Sequence, residues 1–105
     1  MHSHNVYFWL KDGLSNSELE EFEKGLESLI NNPLAISGFY GKPADTHRDV
    51  VENTYSYGLS ILFKDLAGHD QYQAGQVHLT FVDQNSKKWV RAQVFDMETE
   101  QNSGK

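Results

Sequence analysis

Residues His4-Asn5-Val6-Tyr7-Phe8-Trp9-Leu10-Lys11 alternate with the period of a β-strand, and both resulting faces are substantially apolar. One face carries His4, Val6, Phe8 and Leu10; the other carries Asn5, Tyr7, Trp9 and Lys11. A sheet with one solvated face does not turn Tyr and Trp toward water. The sheet built on this strand therefore needs cover on both sides. Helices of the same chain can supply one cover, and a partner subunit the other.

The rest of the chain supplies the helices. Asp12-Gly13 ends the strand, and Ser15 with Glu18 has the form of a capping box opening a helix to about Asn31. Leu19, Phe22, Leu26, Leu29 and Ile30 form its apolar stripe, while Glu18, Glu20, Glu21, Glu23 and Glu27 read as a solvated face. Asn31-Asn32-Pro33 stops it. A second strand, Leu34 to about Lys42, carries Gly38 and Gly41, which suggest a bulge or an edge position. A polar loop follows to Asn53. Thr54 to Lys64 alternates again, with Tyr55, Tyr57, Leu59, Ile61 and Phe63 on one face and Leu62 on the other. Asp65 caps a short helix through Tyr72, and another short helix runs from Gln76 to about Gln84. The last strand, Lys88 to Asp96, sets Val90, Ala92 and Val94 opposite Trp89, Arg91, Gln93 and Phe95.

This order, βαββαβ, is the ferredoxin-like α+β unit: a four-stranded antiparallel sheet with helices on one face. The uncovered face carries Tyr7, Trp9, Leu62 and Phe95, and a homodimer packing sheet against sheet buries it. A chain of 105 residues suits a single domain, placed here at 1–96, with 97–105 expected to be a loose tail.

Charge and composition narrow the function. A net charge of −6 repels phosphate backbones, so nucleic acid is not an expected partner. No basic amphipathic segment suits a membrane surface, and no apolar run approaches the roughly 20 residues of a membrane span. The absence of Cys excludes disulfides and thiol catalysis; with no secretory leader pattern at the start, the expected location is cytoplasmic.

The most chemically capable pair is Tyr72 and His78. On one unbroken helix, at about 100° per residue, they diverge. A break at Gly75 lets them converge. His78 is then a candidate general base and Tyr72 a donor to a carbonyl or oxyanion. His4, on the helix-side face, is a second polar group for the same space. His2, His47 and His69 read as surface residues. Two His without a nearby carboxylate give no expectation of a metal, and no cofactor is expected.

The opening His4–Lys11, Ile61-Leu62-Phe63, Tyr72 followed by His78-Leu79-Thr80-Phe81-Val82, and Val94-Phe95-Asp96 resemble the stress-responsive dimeric α/β-barrel (Dabb) family. The resemblance covers about residues 4–96. It implies a ferredoxin-like protomer whose dimer closes a barrel. Most members have no assigned reaction; one, olivetolic acid cyclase, folds a linear polyketide, and its catalytic Tyr and His resemble Tyr72 and His78, with a further His matching His4. By that analogy Val6, Phe8, Phe22, Phe81, Ala92 and Val94 line a pocket for a small apolar or polyketide-like molecule. The readings are thus a ligand-binding homodimer, a cofactor-free lyase or cyclase, or a structural dimer whose core Phe8, Phe22 and Phe81 fill.

Overall fold

The computed structural model describes residues 1–100, and its elements follow the expected order. They are β1 (His2–Leu10), α1 (Asn16–Ile30), β2 (Ala35–Gly41), β3 (Tyr57–Phe63), α2 (Leu66–Ala74), α3 (Gln76–Asn85) and, after a 3-10 turn, β4 (Trp89–Glu98). The strands form one antiparallel sheet in the order β2-β3-β1-β4. All helices lie on one side. Overall extents of 44 × 38 × 17 Å describe a slab one sheet and one helix layer thick. The single chain does not close its sheet into a barrel; β2 and β4 are free edges. No helix among the described residues is long and apolar enough to cross a membrane.

Local chemistry explains the helix layer. The Ser15 side chain accepts from the Glu18 N–H, and the Glu18 carboxylate accepts from the Ser15 N–H, completing the capping box. Helix α1 then buries Phe22, Leu26 and Leu29, each stabilising the fold by about 2 kcal/mol. Their partners from the sheet are Val6 and Phe8 of β1 and Tyr57, Leu59, Ile61 and Phe63 of β3. Gly25 lets α1 approach α3: a Cβ there would stand 2.8 Å from a Phe81 ring carbon. The acidic face of α1 is less idle than the sequence suggests. Glu21 accepts from Lys88 at 2.6 Å, and Glu23 accepts from the Tyr57 hydroxyl.

The strands differ from expectation in four places. β1 begins at His2, so His2 is buried on the helix side rather than exposed. β3 begins at Tyr57; Tyr55 stands outside it and packs on the opposite face, its ring 4.9 Å from that of Tyr7. A register shift between Trp9 and Leu10 turns Trp89 into the core, against Phe8 and Phe81, and leaves Val90 exposed. β4 continues through Glu98, and the Thr99 N–H donates to the Met1 carbonyl at 2.9 Å. The start of the expected tail is therefore tied to the sheet; residues 101–105 lie outside the described ones. β2 is an edge strand with a bulge between Ala35 and Ser37, as its glycines suggest.

The outer face of the sheet remains open. Tyr7, Trp9, Leu62 and Phe95 all point there, as their positions in the alternation require. Phe39 and Phe95 are 69% and 59% exposed. Tyr7, Trp9, Tyr55 and Phe95 border a groove of about 670 Å³, where Arg91 lies over the Trp9 ring at 4.2 Å.

Candidate functional site

Gly75 separates α2 from α3. It adopts extended backbone angles (φ −79°, ψ 159°), ending one helix and starting the next. The break brings Tyr72 and His78 together with ring centroids 5.2 Å apart, edge to face. One-turn spacing then puts Phe81 and Val82 beside His78. These residues close a cavity of about 150 Å³ over β1 and β4, lined also by His4, Val6, Phe8, Gln73, Trp89, Ala92 and Val94.

Five of the six expected lining residues, Val6, Phe8, Phe81, Ala92 and Val94, border this cavity. Phe22 does not. It is wholly buried beneath, edge-on to Phe8 at 5.2 Å and tilted against Tyr57, where it fills the core. Leu29, Leu59, Gln73, Val82 and Trp89 also line it and were not expected; for Trp89 the register shift that turns it inward has no local signal. Ala92 and Val94 line the cavity yet are exposed, so it is open to solvent at the edge strand β4.

The polar groups are unequally supplied with partners. His78 Nδ1 is buried and has no hydrogen-bond partner among the described residues. Burial lowers the His78 pKa below its ordinary value; the Gln73 backbone carbonyl pulls the other way without completing a hydrogen bond to Nδ1. The neutral imidazole is therefore the resident form near neutral pH. Tyr72 is buried, and desolvation pushes its hydroxyl well above the usual phenol range, so it stays a proton donor. In the same space, His4 is buried with Nδ1 2.6 Å from Asp96 Oδ1. Burial lowers the His4 pKa, partly opposed by Asp96. Desolvation works to raise the Asp96 carboxyl, but the hydrogen bonds from His4 and His2 hold it below its usual range.

Two expectations about the other histidines fail. His69 is buried, not on the surface, because α2 turns it toward β1; its ring centroid lies 4.4 Å from that of His2 and 4.7 Å from that of His4. A carboxylate does stand near His4: the pairing His4↔Asp96 between β1 and β4 puts it there. His47 is exposed and pairs with Asp45 at 2.6 Å, as its loop position suggests.

Comparison with known proteins now places the chain. The family model of the stress responsive A/B barrel domain matches residues 3–99. The chain belongs to the Dabb family. Among solved structures, an Arabidopsis thaliana protein is 22% identical, covers 98% of this chain and 99% of its own, and superposes with a TM-score of 0.79. The hydroxynitrile lyase from Passiflora edulis is 15% identical, with 97% and 95% coverage and a TM-score of 0.78. A dimeric ferredoxin-like protein of unknown function from Thermobifida fusca is 13% identical, with 93% and 90% coverage and a TM-score of 0.75. At these identities the likeness carries the Dabb fold. No curated protein matches the chain.

Proposed function

We propose that this Dabb chain works as a homodimer, joined through the outer face of Tyr7, Trp9, Leu62 and Phe95, and binds a small, largely apolar molecule in the cavity beside His78. The observation that carries the reading is the buried, unpartnered His78 Nδ1 in an apolar cavity. A buried imidazole nitrogen left without a partner costs about 1–3 kcal/mol. A ligand hydroxyl donating to it, with Tyr72 donating to a ligand oxygen, recovers that cost. The volume of about 150 Å³ sets the size: it admits a molecule of one aromatic ring and a short polar arm. Drug-sized sites occupy roughly 300 Å³ or more, so a long polyketide chain is disfavoured. The dimeric state of fold neighbours and the apolar outer face support the homodimer.

The lack of a partner on Nδ1 favours a second reading, a cofactor-free lyase with His78 as general base. In cleavage of a small hydroxynitrile, the chemistry named for the Passiflora relative, His78 takes the hydroxyl proton. The C–C bond to the nitrile carbon breaks, an aldehyde forms, and cyanide leaves and receives the proton. Tyr72 donates to the oxygen throughout.

The test is ligand-observed NMR with benzyl alcohol, benzaldehyde and mandelonitrile, together with an aldehyde-release assay. His78→Gln is expected to weaken binding about tenfold, the value of one hydrogen bond of about 1.4 kcal/mol, while the dimer persists. Equal binding by wild type and His78→Gln would sink the binding reading. Aldehyde release unchanged by His78→Gln would remove the lyase reading.

A further inference from the structure

At the end of the sheet next to α2, four side chains from three elements converge: His2 and His4 from β1, His69 from α2 and Asp96 from β4. One ligand-capable atom of each lies within 4.8 Å of all the others. The three imidazoles are buried, whereas the Asp96 side chain is 39% exposed and leaves a path from solvent. Three imidazoles packed against one another beside a carboxylate bring several metal-ligating atoms into one small space, which invites a cation.

The surrounding hydrogen bonds orient the His69 ring. Asp70 Oδ1 lies 3.2 Å from His69 Nδ1. The Nδ1–H donates outward to that carboxylate, leaving Nε2 as the unprotonated nitrogen, 3.4 Å from the Gln73 amide. The same amide stands 3.5 Å from His4 Nε2. A carboxylate holding the far nitrogen of an imidazole is the arrangement that fixes metal-ligating histidines. His2 Nε2 and His4 Nδ1 both donate to Asp96 Oδ1, at 3.2 and 2.6 Å, so a cation that takes these two nitrogens shifts each ring to the tautomer protonated on its other nitrogen.

We infer that His2, His4, His69 and Asp96 form a binding site for a borderline divalent cation, with Zn²⁺ the best match. The set of three nitrogens and one carboxylate oxygen suits Zn²⁺, whose metal–nitrogen bonds of about 2.0–2.1 Å place tetrahedral donors roughly 3.3 Å apart. Closing the gap from 4.8 Å requires the imidazoles to rotate and Gln73 to move aside. Ca²⁺ and Mg²⁺ prefer all-oxygen shells and fit the set poorly. The site does not include His78, though it shares His4 with the wall of the His78 cavity. It ties the first residues of β1 to β4 and α2, and therefore links metal occupancy to the order of the chain's start.

The experiment uses the tag-free full chain, stripped with chelator and titrated with Zn²⁺ by calorimetry, with thermal melts and the visible spectrum of the Co²⁺-loaded form. About one Zn²⁺ per chain is expected, with a raised melting temperature and a tetrahedral Co²⁺ band. His2→Ala and His69→Ala are each expected to weaken binding at least about a hundredfold and to abolish the band, and Asp70→Asn to weaken it about tenfold. His47→Ala, at the exposed loop pair, leaves binding unchanged. Circular dichroism checks that each variant is folded. Failure of the wild-type chain to take up Zn²⁺, or uptake undiminished in folded His2→Ala and His69→Ala, overturns the inference. Neither result bears on ligand binding at His78.

Discussion

Lys88 and His78 are both sunk into the helix layer, and the fold treats them in opposite ways. Lys88 is 2% exposed, yet its ammonium donates to Glu21 Oε1 at 2.6 Å and to Asn85 Oδ1 at 2.7 Å, and Asn85 in turn donates to the Phe81 carbonyl. The network is satisfied and clamps α3 to α1. His78, one turn before Phe81 on the same helix, keeps a buried nitrogen with no partner among the described residues and an empty volume beside it. A buried polar group with its partners in place is structural; one held without a partner beside a cavity is available to a ligand. The two lie close in sequence, His78 within α3 and Lys88 in the 3-10 turn that follows it.

The contrast breaks if the two side chains respond alike to substitution. Lys88→Met is expected to have the largest effect on stability, about 3 kcal/mol by chemical denaturation, because it strips a buried amide of its donor and uncouples α3 from α1. The cavity and its ligand affinity are expected to survive in the folded fraction. Gly25→Ala follows at about 2 kcal/mol: its methyl group meets the Phe81 ring at 2.8 Å, and the ring must move. Because Phe81 also lines the cavity, this variant should lose affinity as well as stability, which sets it apart from Lys88→Met. His78→Gln should cost less than about 1 kcal/mol in stability while removing most of the ligand response.

The smallest effect is on pH dependence. The folded pKa of His78 is lowered by burial, so the unfolded chain binds its proton more readily. The stability contributed by neutral His78 is present above the unfolded value of about 6.5 and is lost as pH falls below it toward the lower folded value. His4, also lowered, acts in the same direction. Melting temperatures should fall as pH drops below about 6.5, and less steeply in His78→Gln. A His78→Gln profile parallel to wild type contradicts the assigned shift.

Much of this was readable in the residues, and the exceptions have physical causes. The alternation from His4, the Ser15–Glu18 capping box and the helix break at Gly75 are local signals, and local chemistry decides them. The break alone is enough to bring Tyr72 to His78. Trp89 was hidden because a one-residue register shift reverses which residues face the core, and the pleat carries no mark of it. His2 and His69 were hidden for another reason. His2 lies before the part of the alternation that reads clearly, and α2 has too few apolar residues to show which face it buries. The carboxylate beside His4 comes from residue 96, a contact fixed by strand pairing across nearly the whole chain. Sequence spacing cannot express such a contact.

The measurement closest to the central claim is a high-resolution crystal structure of the protein soaked with benzaldehyde, benzyl alcohol and mandelonitrile. The account predicts ligand density between Tyr72 and His78, with a ligand polar atom within hydrogen-bond distance of His78 Nδ1. A cavity closed by its own aromatic side chains, with His78 Nδ1 bonded to a protein group, would contradict it.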